Sequence, residues 1–542
     1  MHTLQTADYI VFLIYFIAVS AYGYYIYHRK KSKTTSSKEF FLAEGSLTWW
    51  AIGASLIASN ISAEHFIGMS GSGFKIGLAI STYEWMAAAT LILVAVFLLP
   101  IYLKNKIYTM PQFLAQRYSD TVSTIMAVFW LLVYVFVNLT SIIYLGSLAI
   151  SSISPLSFEW SIAGLSIFSI IVTLGGMKVI GYTDVIQVLV LLIGGLVTTY
   201  LALTLLADKF GYEGDILSAL GVLRKEAPDH FHMILDKSNP NYMDLPGLSV
   251  LIGGMLINNL AYWGCNQYIV QRALGADLKT ARNGILFAAF LKLLIPVIAV
   301  LPGIIMYVLH QNGMFQQEMT DAGVLKPDHA YPTLMNLLPA GLKGVAFAAL
   351  TAAIVASLAG KANSISTIWS LDIYKKYFNK EAPDRKVVKV GRWAVIISML
   401  IAALITPALR SLDQAYQFIQ EYAGFLSPGV LAIFLLGMFW KRTTAAAALA
   451  GAVITIPVST ILKFLPDWTG GAFPNYPFLD RMTITFFTVI LVMVAISLIW
   501  PKGEKDRHTI EVDKSLFKVN PAFIVGSVII CGILAALYTI FW

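Results

Sequence analysis

The stretch ASNISAEHFIGMSGSG, residues 58–73, gathers Asn60, Ser62, Glu64, His65 and Ser70 with three glycines in a run that is otherwise apolar from Leu47. A second stretch, INNLAYWGCNQYIVQR at 257–272, sets Asn258, Asn259, Asn266 and Gln267 beside Tyr262 and Trp263. Three smaller groups accompany them: Glu84 in STYEWM, Lys292 in FAAFLKLLIP, and Gln417, Gln420 and Glu421 in YQFIQEYAG. Lys361 stands apart in IVASLAGKANSISTIW, which contains no carboxylate. Neutral amides with a carboxylate and an ammonium suit a polyhydroxylated neutral ligand, because its hydroxyls both donate and accept. Tyr83, Tyr262, Trp263 and Tyr416 could cover the apolar faces of a sugar. An amino acid would call for a concentrated charge pair. Blander roles exist for single features: a glycine-rich helix contact, a solvated cap at Glu84, a snorkelling Lys292. Glycine packing leaves Glu64 and His65 unexplained. No nucleophile, base and orienting group stand together, and there is no Walker loop or metal-ligand spacing, so neither an enzyme nor an ATP-driven pump is expected.

These groups must be positioned by membrane helices. Of 542 residues 58% are hydrophobic and 13% charged, with mean hydropathy +0.72; soluble domains run at about 45–50% and about 25%. A spanning helix needs ~20 mainly apolar residues. On that basis spans fall near 8–27, 48–74, 77–103, 123–153, 158–176, 181–207, 247–271, 285–309, 341–371, 393–409, 413–440, 445–465, 480–500 and 520–541, about fourteen in an all-α polytopic protein. Unbroken apolar runs exclude a β-barrel, whose strands alternate. Such a chain is a secondary transporter, a channel or a membrane-embedded enzyme, and polar residues inside spans mark its working parts. The runs at 58–73 and 257–272 read as paired broken helices, as an inverted-repeat transporter requires.

The 38 Lys and Arg concentrate in alternate loops: HRKKSK at 28–33, KNK at 104–106, the loop from Arg272 to Arg282, 375–392, KR at 441–442 and 502–518. Basic loops lie on the cytoplasmic side, so both termini are expected outside a cell (inner) membrane, with the first span an uncleaved anchor. The net charge of +8 is then a topology signal and argues for neither nucleic acid nor acidic substrates. Cys265 and Cys531 both fall in spans and support no disulfide framework.

The segments WWAIGASLIASNISAEHFIGMSGSG, GLAISTYEWM, FVNLTSIIYLG, GGMKVIGYTDVIQV, AYWGCNQYIVQRAL and NSISTIWSLDIYKKY resemble the sodium/solute symporter family, among them the bacterial sodium/galactose and animal sodium/glucose symporters. The resemblance covers nearly the whole chain. It implies a LeuT-like core of two inverted five-helix repeats, 48–207 and 247–440, joined by an extracytoplasmic loop at 208–246. Residues 1–47 would form the first helix and a basic cytoplasmic loop, and 441–542 three peripheral helices. It further implies sodium-coupled symport by alternating access, with a sugar site of Asn60, His65, Glu84, Asn259, Lys292 and Gln420, organised by Asn138. Tyr262 would stack under the sugar as inner gate beside Trp263, while Met69, Tyr83 and Tyr416 would close it from outside. Ala87 replaces a serine of the bacterial relatives, leaving glucose, galactose, myo-inositol or sialic acid open.

The same resemblance places Na+ at the carbonyls of Ala58, Ile61 and Ala353 and at two hydroxyl positions, here Ala356 and Ser357. One hydroxyl survives. Ala353, Ser357 and Lys361 share a helix face by their spacing. Lys361 and Asp184 are therefore candidates for coupling, and two readings stand. In one, Lys361 replaces sodium as a built-in cation, giving a proton-coupled or sodium-independent carrier. In the other, which the remaining ligand positions favour, it lies at the cytoplasmic mouth, snorkelling or pairing with Asp184.

Overall fold

The structure is a computed structural model that describes residues 4–29, 40–41, 47–321, 323–411, 415–501 and 510–542. Part of the basic segments used to orient the chain, residues 30–33 and 502–509, lies outside the described residues, as does the side chain of Tyr416. The chain is helical, with one two-stranded hairpin pairing Thr320–Asp321 with Val324–Leu325. Among the described residues eleven helices are long and apolar enough to cross a membrane. Three of the fourteen expected spans are not continuous helices of that length. The segment at 158–176 forms a 16-residue helix, Phe158–Thr173. The other two, at 48–74 and 247–271, are broken.

Both breaks fall in the polar stretches. The Trp49–Asn60 helix ends at Ile61, whose backbone is extended (φ −76°, ψ 125°), and the chain resumes as a π-helix over Glu64–Met69 that continues into Ser70–Ile76. The Gly254–Cys265 helix ends at Asn266, again extended (φ −103°, ψ 126°), before Gln267–Leu274. Breaking a helix orphans backbone groups that must find partners away from water. Tyr102 Oη donates to Gly264 O at 2.7 Å and Gln267 N donates to Tyr134 Oη at 3.1 Å. At the first break, Ser357 Oγ donates to Ser59 O at 2.9 Å.

The broken helices sit at the centre. Trp49–Asn60 packs on Leu278–Lys292, Met177–Lys209 and Leu342–Thr367, and Ser70–Ile76 packs on Ile295–Gln311. In the Leu342–Phe378 span 89% of an 18-residue apolar window is buried, against 22% of the corresponding windows in Thr6–Ile26 and Pro521–Ile540, which lie at the periphery. The approach of Ser70–Ile76 to Ile295–Gln311 depends on Gly303, where a Cβ would stand 2.0 Å from the carbonyl oxygen of Ser70. That oxygen belongs to the backbone and cannot swing aside. Gly303→Ala is expected to cost about 1–3 kcal/mol by overpacking, seen as a lower thermal midpoint in detergent. Gly164→Ala, whose Cβ would meet nothing, is the control and leaves the midpoint unchanged.

Candidate substrate-binding site

Between the two breaks lies a chamber of about 1120 Å³, counted with its open mouth. Its wall includes Asn60, His65, Glu84, Asn138, Asn259, Tyr262, Trp263 and Gln420, all expected from the sequence. They come from elements far apart in the chain. Asn60 and His65 flank the first break, Glu84 opens the Thr82–Leu93 helix, and Asn259, Tyr262 and Trp263 precede the second break.

Lys292 lies behind this wall, fully buried. Its ammonium donates to Asn60 Oδ1 and Glu84 Oε2, and sits 5.0 Å from the Trp263 ring centroid. The snorkelling alternative for Lys292 is thereby excluded. Glu84 Oε1 lies 3.3 Å from His65 Nε2. Because Ser62 N donates to His65 Nδ1 at 3.4 Å, the network assigns the ring proton to Nε2, and His65 donates to Glu84. Asn60 in turn donates from Nδ2 to Tyr262 Oη at 2.8 Å, and Tyr262 Oη also accepts from Tyr268 Oη. The lysine thus orients an amide and a carboxylate from behind, and both residues line the chamber. Asn259 Nδ2 is tied to Met255 O at 3.2 Å, which fixes its amide plane.

Of the expected gate residues, Tyr83 and Tyr262 line the chamber. Met69 is fully buried and is not among the described residues that line it. Asp184 does not meet Lys361. Its Oδ2 accepts from Ser55 Oγ at 2.5 Å and lies 3.8 Å from Arg272 Nη2. Arg272, expected to open a cytoplasmic loop, is instead 1% exposed on the Gln267–Leu274 helix. Lys361 is buried and lines the chamber. Glu64 also lines it, held by Ser141 Oγ at 2.7 Å, and so do Tyr134, Asn258, Asn266 and Tyr268. Asn258 and Asn266 were visible as polar residues in a span. Tyr134 and Tyr268 gave no signal, since a tyrosine in an apolar helix is ordinary.

A buried chamber with polar side chains in its wall lies between two broken helices, within a bundle whose helices are long and apolar enough to cross a membrane; similarity to known proteins makes this multi-pass membrane protein a transporter, not an enzyme. The chain belongs to the sodium:solute symporter family, whose sequence profile matches residues 40–455. It is 46% identical over 549 residues to the sodium/glucose cotransporter of Vibrio parahaemolyticus, covering 100% of this chain and 99% of that protein. It is 32% identical over 525 residues to the sodium/myo-inositol cotransporter 2 of Mus musculus, covering 91% of this chain and 77% of the other. Its fold is that of a Na+-coupled sialic acid symporter solved in a substrate-bound outward-open state, with a TM-score of 0.77, 22% identity, and coverage of 92% and 99% of the two chains.

Proposed function

We propose that this protein carries a sugar of the galactose or glucose class together with sodium, by alternating access around the chamber. The observation that supports the sugar is the network in which Lys292 holds Asn60 and Glu84. A carboxylate pre-oriented in this way accepts strongly from sugar hydroxyls, and the amides of Asn259 and Gln420 both donate and accept. The sequence similarity to a sodium/glucose cotransporter points the same way. On this reading 48–207 and 247–440 form inverted repeats, the extended residues Ile61 and Asn266 mark their corresponding breaks, and both termini lie outside. The fourteen crossings then comprise the eleven long helices, Phe158–Thr173 and the two broken ones.

The test is uptake of labelled galactose and glucose into proteoliposomes under an imposed sodium gradient, followed by counterflow without one. Accumulation driven by sodium and exchange of preloaded sugar support the reading; leak without exchange, as in a channel, defeats it. Tyr262→Phe removes the hydroxyl that accepts from Asn60 and Tyr268 while keeping the ring. At about 0.5–1.5 kcal/mol for such a bond, the half-saturating sugar concentration should rise roughly 2- to 13-fold, measured by counterflow.

A further inference from the structure

At the first break the chain supplies its own cation. Lys361 Nζ donates to Ser357 Oγ at 2.8 Å, and Ser357 Oγ donates to the carbonyl of Ser59 at 2.9 Å. Ser59 belongs to the last turn of the Trp49–Asn60 helix, whose carbonyl end carries partial negative charge. On its other side the ammonium lies 4.7 Å from the centroid of the Tyr268 ring, a distance at which the face of the ring attracts a cation. Glu64 attracts the charge and Arg272 opposes it, and among the described residues no carboxylate forms an ion pair with Lys361. A helix carbonyl end, a hydroxyl and a ring face are the surroundings of a monovalent cation. Beside them Ala356 offers a methyl group and no oxygen.

The structure assigns Lys361 as a tethered cation at the sodium position, which competes with sodium for Ser357 and the carbonyl end of the broken helix. Both cannot sit against the same hydroxyl. Sodium enters when the ammonium swings off Ser357 into the chamber that Lys361 already lines, so the ion site and the sugar site share one moving side chain. The inference rests on the sodium-coupled sugar reading.

The test is equilibrium binding of radioactive sodium to the purified protein in detergent, which needs no sugar and no transport, with sugar counterflow measured separately. Lys361→Met removes the charge and keeps the length, and is expected to bind sodium at least tenfold more tightly than the parent. Lys361→Gln serves if the methionine variant does not fold, and Lys361→Met/Ala356→Ser is expected to bind more tightly still. Sodium affinity in a folded Lys361→Met or Lys361→Gln protein equal to the parent's, or weaker, overturns the assignment. Absence of sugar exchange in the parent would instead defeat the sugar reading and leave the ion-binding result to be judged by itself.

Discussion

Glu84→Gln is expected to abolish sugar accumulation and to destabilise the protein, and only the second effect should be repaired by Lys292→Met. Glu84 and Lys292 are 3% and 0% exposed, and the carboxylate takes both the lysine and His65 as donors. A carboxamide of the same shape leaves the ammonium buried without its anion. Breaking a buried pair from one side costs about 3–5 kcal/mol because the remaining charge is buried and uncompensated, and removing that second charge as well lifts the penalty. The double variant should therefore recover most of the thermal midpoint of the parent. Transport follows a different rule, because on the proposed reading sugar hydroxyls bond the oriented carboxylate. Loss of two charge-assisted bonds at about 1.5–3 kcal/mol each raises the half-saturating sugar concentration by more than about 100-fold. Glu84→Gln/Lys292→Met should thus be stable and inactive in counterflow. If the double variant still transports, Glu84 is a structural ion-pair partner and the proposed sugar contact is wrong.

The two breaks were legible because polar, helix-indifferent residues are expensive in a bilayer and stand out against apolar runs. For the same reason eight of the nine expected substrate-binding side chains line one chamber, and the ninth, Lys292, braces two of them. What the sequence did not reveal are pairings across the fold. The spacing of Ser357 and Lys361 put them on one helix face, but their hydrogen bond and the Tyr268 ring beside the ammonium were not foreseen. Arg272 looked like the first charge of a cytoplasmic loop because it ends an apolar run. Its burial is possible only because Asp184, Ser55 and the carbonyl of Tyr268 receive it. Periodicity reports which face of a helix is apolar, and says nothing about which distant residue will meet it. Eleven of the fourteen expected spans are long continuous helices, and at the two breaks the composition of a span is kept while its continuity is lost.

Arg272→Met is the second change with a large expected effect, because this guanidinium ties three elements together. Its Nε donates to Ser55 O at 3.0 Å and Ser55 Oγ at 2.8 Å, its Nη1 donates to Tyr268 O, and its Nη2 faces Asp184. Gly360 makes the room: a Cβ there would stand 2.5 Å from Nη2. The network thus links Trp49–Asn60, Gln267–Leu274 and Met177–Lys209, against Leu342–Thr367, which approaches at Gly360. Removing the guanidinium leaves the buried Asp184 with Ser55 Oγ as a donor but without its counter-cation, at a cost of about 3–5 kcal/mol for the charge. Arg272→Met/Asp184→Asn should recover part of that loss. Neither protein should transport at the parental rate, since on the proposed alternating-access reading this network braces both breaks beside the chamber. Asp184→Asn alone keeps the bonds of Arg272 to Ser55 and Tyr268, and is expected to slow turnover more than it changes sugar affinity. The measurement is the initial counterflow rate at saturating sugar set against the half-saturating concentration. A larger change in affinity than in rate would place Asp184 in contact with the sugar site, contrary to its position beside Ser55 behind the first break.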